Sequence, residues 1–230
     1  MQRLEDDEAA PPSNVFTTAL AAYKSPTFAI QVTMTMAINF GINYGLEWAF
    51  MSQWGAVKNT ADFPRIPALR FEAPLNSCLA LDFGLTTFFI GFLCSLAATD
   101  GTQKEVRKGA CAMLEPSAIE GGWWRWTPVP IQNLYLRSLL LGVYTLLLVG
   151  LPTFLISWAA VGAGSMNGYS YTCFKGVWGM LVSALVYTFV FPAAISKRNF
   201  PELEYESLNS MSQADGEAPP LVANPENVQW

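Results

Sequence analysis

Glu47, Asp82 and Lys175 are the residues whose types invite chemistry, because each stands within or beside a long apolar stretch. A charge held in a bilayer costs about 3 kcal/mol on insertion scales, and such charges are paired, hydrated or functional. Glu47 closes a series in "QVTMTMAINFGINYGLEWAF", residues 31–50. The series places Gln31, Thr35, Asn39, Asn43 and Glu47 at every fourth position. On an α-helix each step of four turns the position by about 40°, so the set forms a slowly winding ridge.

Asp82 begins the next apolar stretch, which must return through the bilayer in the opposite direction. Glu47 and Asp82 therefore reach the same depth, with Asn43 and Thr86 one layer inward and Asn39 deeper. Lys175, near the start of the last apolar stretch, falls at the outer layer as well. Two carboxylates that close repel unless Lys175, a bound cation or a proton offsets one charge. The expected site is an ion or solute seam made of Glu47, Asp82, Asn43, Thr86, Asn39 and Lys175. The plain alternative is that the charges only pair and the amides only join helices, at about 1 kcal/mol each.

A second ridge runs along the other side of the same segment: Ala37, Gly41, Gly45 and Ala49. Small residues every four positions let helices approach closely. This ridge is expected to pack against a neighbouring helix or a second copy.

The elements that must carry these residues follow from composition. The chain has 230 residues, 52% of them hydrophobic and 13% charged. The charges gather at the ends and in the middle, leaving four stretches of about 20 residues, each long enough to span the hydrocarbon as a helix. The predicted fold is all-α, an integral membrane bundle of four transmembrane helices at 27–51, 77–98, 137–160 and 172–195. Within the third, Pro152 removes a backbone donor and predicts a kink. Before the first, Val15, Phe16, Ala19, Leu20 and Tyr23 recur at helical spacing. They predict a short amphipathic helix on the membrane surface, broken at Pro26. Acidic tails at 1–12 and 201–230 read as disordered. They flank a single domain over 13–200.

Residues 1–12 lack an apolar core segment, so no cleavable signal peptide is expected and the first span acts as its own insertion signal. With four spans, one face holds Arg3, Lys24, Lys104, Arg107, Lys108, Arg125, Arg137, Lys197 and Arg198. The other holds Lys58, Arg65, Arg70 and Lys175. That asymmetry puts both termini in the cytoplasm and does not distinguish plasma membrane from endomembrane. The tryptophans around Arg125 suit the headgroup layer, or else a packed core outside the membrane.

Histidine is absent, which removes the commonest general base and metal ligand. No phosphate loop, dinucleotide fingerprint, zinc-protease pattern or nucleophile elbow occurs. No enzyme activity, metal or cofactor is therefore expected, and the basic loop has too few charges for nucleic acid. Cys78, Cys94, Cys111 and Cys173 show no zinc or redox spacing. Cys78 and Cys173 lie at similar depth, which leaves a disulfide open, and Cys111 is a candidate for acylation. "YESL" at 205–208 fits a short sorting signal. The chain reads as a small channel, transporter or accessory subunit. The alternative is a structural or trafficking protein without transport. Its partners are the lipid bilayer and either further copies of itself or another membrane protein.

Overall fold

The computed structural model describes residues 22–52, 59, 63–67, 69, 78–120, 122–161 and 165–201. The tails, most of the amphipathic segment, Lys58, Arg70 and the sorting pattern lie outside the described residues. The chain is mostly helical. Among the described residues, three helices are long and apolar enough to cross a membrane: Leu79–Arg107, Leu134–Ala160 and Gly168–Ala194.

Helix α1, Pro26–Met51, has the length of a span but falls short of that apolarity. The polar ridge is the reason. Ser25 caps α1, its hydroxyl accepting from the Phe28 backbone N–H, and Pro26 takes the first helical position. The proline expected to end a preceding helix instead starts this one, where its missing N–H is not needed.

Helix α2, Leu79–Arg107, runs well past the expected apolar limit. Asp100 and Lys104 pair one turn apart at 2.7 Å on the added turns. Gly109, with φ of 74°, then ends the helix. Its N–H bonds to the Val106 carbonyl and that of Ala110 to the Glu105 carbonyl, the paired closure that a left-handed residue permits. A short helix α3, Ser117–Glu120, and a 3-10 turn, Gly122–Trp126, follow.

The third span is divided into α4, Leu134–Thr145, a π-helical turn, Leu146–Gly150, and α5, Leu151–Val161. The wide turn sits just ahead of Pro152, whose ring nitrogen cannot bond back to the preceding turn. Asn133 and Asn167 cap α4 and α6, Gly168–Ala194, so both helices begin before their apolar runs do. Two strands amend the all-α reading: β1, Arg65–Pro67, pairs antiparallel with β2, Ser165–Asn167. Arg65 fixes the ribbon by donating from Nε to Ser165 Oγ at 2.8 Å.

Helix α6 is the centre of the bundle, with Tyr171, Tyr187, Val190 and Phe191 fully buried. It packs along both α1 and α2, and α2 also packs along α4. Gly91 and Gly142 bring α2 and α4 together, and a β-carbon on Gly91 would lie 2.8 Å from Gly142 Cα. At the end of the bundle where α6 finishes, Leu114 N–H donates to Ile195 O and Lys197 N–H to Leu114 O. That pairing holds the loop between α2 and α4 against the segment after α6. Tyr23 joins this end by donating to Thr188 O at 3.0 Å, and burial pushes its phenol well up.

The exterior is inverted relative to a water-soluble helix. On α1 the side chains of Ile30, Met34, Ile38, Ile42 and Leu46 are exposed while Asn39, Asn43 and Glu47 are buried. Polar residues inside and apolar residues outside suit a surface that meets hydrocarbon.

Candidate functional site

Three helices deliver one charge each to the ribbon end of the bundle. Lys175 Nζ of α6 lies 2.6 Å from Glu47 Oε2 of α1 and 2.7 Å from Asp82 Oδ1 of α2. Side-chain exposure is 9% for Lys175 and Glu47 and 24% for Asp82, so the group is most open beside Asp82. Tyr171, one turn before Lys175 on α6, donates its hydroxyl to Asp82 Oδ2. The Lys175 ammonium also stands 5.8 Å from the centre of the Tyr171 ring. Two carboxylates and one ammonium leave a formal charge of −1. The hydroxyl of Tyr171 disperses that charge without neutralising it.

The amide ladder continues inward from this triad. Asn43 Nδ2 donates to Asn39 O at 2.8 Å, and Asn39 Nδ2 to Thr35 O at 2.9 Å. Asn39 Nδ2 also reaches Cys94 Sγ of α2 at 3.2 Å. Each amide thus ties down a carbonyl of its own helix and keeps acceptor capacity for a neighbour.

The ladder lines a groove. Helices α1 and α2 diverge on either side of α6 and enclose a space of about 480 Å³ between them. Gln31, Thr35, Asn39, Asn43, Thr86 and Lys175 place polar groups along its mostly apolar lining. Its rims are apolar and exposed: Ile38, Ile42 and Leu46 on α1, and Leu85, Phe89 and Leu93 on α2. The volume lies in the range of small-molecule sites. The structure brings Glu47, Asp82 and Lys175 into contact, and gathers Asn39, Asn43 and Thr86 with Lys175 around one groove.

The small ridge behaves differently. Gly41 and Gly45 face outward, and a β-carbon on either would meet no atom within 4 Å. Ala37 is exposed and Ala49 half-buried. The expected close contact with another helix is absent within the described chain. The cause is geometric: residues two apart on a helix differ by about 200°, so burying Asn43 turns Gly41 and Gly45 away. The close approach to α1 is made by α6 instead. A β-carbon on Gly176 would lie 3.0 Å from Tyr44 Cβ, and one on Gly179 would lie 2.7 Å from Asn43 Nδ2.

Tyr171, Gly176 and Gly179 were not singled out from sequence. Tyr171 carried a usable signal, since a residue four before Lys175 shares its helix face. All four cysteines are free thiols, so Cys78 and Cys173 are not bridged. Cys111 is buried, which withdraws it from the surface that acylation requires. Burial also pushes its thiol up, partly offset by a hydrogen bond with Ser25. Trp124 is buried while Trp126 is exposed, so the aromatic cluster divides between a packed core and a free surface.

Comparison with protein-family models, with curated proteins and with solved structures finds no match.

Proposed function

We propose that this is a multi-pass membrane protein in which α1 forms a fourth span. It works by binding, in a transport-like or accessory role. Its α1–α2 groove takes an amphipathic guest from the bilayer. The guest's apolar part lies along the exposed rims. A polar head group with donor hydrogens meets the amides. The carrying observation is the groove itself, about 480 Å³ and mostly apolar, with a line of polar side chains along it. The Asn39 and Asn43 amides already donate to carbonyls of α1, and their remaining acceptor capacity favours an occupant with donor hydrogens over bare lipid tails. Both termini are assigned to the cytoplasm on the Lys and Arg asymmetry.

One observation favours the rival structural role. Lys175 already contacts a carboxylate oxygen of both Glu47 and Asp82 and so occupies the place of a free cation. On that reading the triad joins three helices and nothing binds.

Native mass spectrometry of the protein released from nanodiscs separates the two. A retained amphiphile in the wild type that is lost when Thr86→Trp fills the groove supports the binding role. A folded wild type released with no guest, or with the same guests as Thr86→Trp, leaves the structural role.

A further inference from the structure

We propose, resting on the binding role above, that the α1–α2 groove is a track between the two leaflets. Along it passes a lipid whose head group is uncharged and rich in hydroxyls, of the glycosyl-lipid class.

The groove is longer than one leaflet is thick. Its wall on α1 runs from Gln31 to Leu46, and its wall on α2 from Leu85 to Ala98. At the helical rise these stretches measure about 22 Å and about 20 Å. One leaflet contributes about 15 Å of hydrocarbon, half of the bilayer core. A groove of that length passes the midplane even on helices tilted by about 20°. A lipid resting in its own leaflet needs only the shorter distance. Both ends reach polar levels. At one end Lys175 meets Glu47 and Asp82. At the other, Gln31 Oε1 lies 3.5 Å from where a β-carbon on Gly101 would stand, next to the exposed pair of Asp100 and Lys104.

The polar groups between those ends are spaced for passage. Gln31, Thr35, Asn39 and Asn43 follow one another at steps of four, about 6 Å apart along the helix axis. Thr86 of α2 lines the same groove. A head group that advances one step forms its next hydrogen bond as it gives up the last. Without such stations its hydroxyls would cross the hydrocarbon unbonded, which is the main barrier to crossing. The apolar rims are exposed, so the acyl chains stay in the bilayer while the head moves, and no water-filled pore is required.

Chemistry selects the head. The stations are amides and hydroxyls, all uncharged. A sugar hydroxyl both donates and accepts, so it answers either kind. Among the described residues lining the groove, Lys175 carries the only charge, and Glu47 and Asp82 already hold it. A phosphate therefore meets no free cation along the track, and a quaternary ammonium meets no carboxylate on its walls.

The test reconstitutes the full chain in phosphatidylcholine vesicles with a trace of glucosylceramide or of phosphatidylcholine, each carrying a nitrobenzoxadiazole fluorophore on an acyl chain. Dithionite bleaches only the outer leaflet, so slower bleaching reports movement between leaflets. The wild type should move the glucosyl probe about tenfold faster than protein-free vesicles do, the gain from one or two hydrogen bonds kept during the crossing. The phosphatidylcholine probe should stay at the protein-free rate. Thr86→Trp should abolish the gain. If that variant does not fold, Thr35→Val with Thr86→Val decides, because the pair keeps the volume and removes two hydroxyls. A fall of about threefold or more supports the track, and an unchanged rate overturns it. Equal acceleration of both probes overturns the head-group assignment. A guest retained in native mass spectrometry while the glucosyl probe stays at the protein-free rate overturns the track and leaves the binding role standing.

Discussion

Gly179 of α6 lies so close to Asn43 of α1 that a β-carbon on it would come within 2.7 Å of the Asn43 amide nitrogen. The polar ladder is therefore packed against bare backbone, and the central helix has space there only for glycine. Gly179→Ala should destabilise the protein by about 1–3 kcal/mol, the usual cost of overpacking. Gly45→Leu should not destabilise the monomer and should stabilise it by up to about 1 kcal/mol, because nothing surrounds Gly45 and leucine is the better helix former. Thermal unfolding of the two variants checks this, and the reverse order would mean that the small ridge is buried in the assembled protein.

Lys175→Met should be the most damaging single change at the triad. It leaves Glu47 and Asp82 facing each other in a largely buried place, at a cost of about 3–5 kcal/mol. Adding Glu47→Gln and Asp82→Asn should restore much of the loss, since no unpaired charge remains. Denaturation of the single and triple variants in the same detergent measures the recovery. If the triple variant is no more stable than Lys175→Met, the damage lies in lost packing and not in unpaired charge.

Much of this site was legible in the sequence. Glu47, Asp82 and Lys175 are charges in apolar surroundings, and the antiparallel order of the first two helices fixes their depth. What was hidden is which face of α1 turns inward. Its polar and small ridges are equally regular in sequence. The choice belongs to the partner, because Lys175 pairs with a buried Glu47 and so draws the polar ridge inward. The 27–51 segment is less apolar than the other three helices for the same reason, since the residues that make the site also dilute the hydropathy. The strand pair was hidden because Arg65–Pro67 and Ser165–Asn167 are three residues each and meet only once the bundle has closed.

Cys111 gives a prediction on pH. Burial raises its thiol above the ordinary value, so the folded state holds the proton more tightly than the unfolded chain does. Its contribution to stability is fully present below the unfolded thiol value of about 8.5. It is lost as pH rises through the folded value. At pH 7.5, maleimide should modify Cys111 many-fold more slowly in the folded protein than in denaturant. Equal rates would place Cys111 at the surface and return it as an acylation candidate.

The central claim is that α1 crosses the bilayer with its ladder turned onto an occupied groove. Spin labels at positions 45 and 86, in nanodiscs, test it through collisions with molecular oxygen and with a water-soluble nickel complex. The account predicts high oxygen and low nickel access at position 45. At position 86 it predicts low nickel access, because the groove opens to the bilayer and not to water. High nickel access at position 45 would put α1 in water, and high nickel access at position 86 would make the groove an aqueous passage; either result contradicts the account.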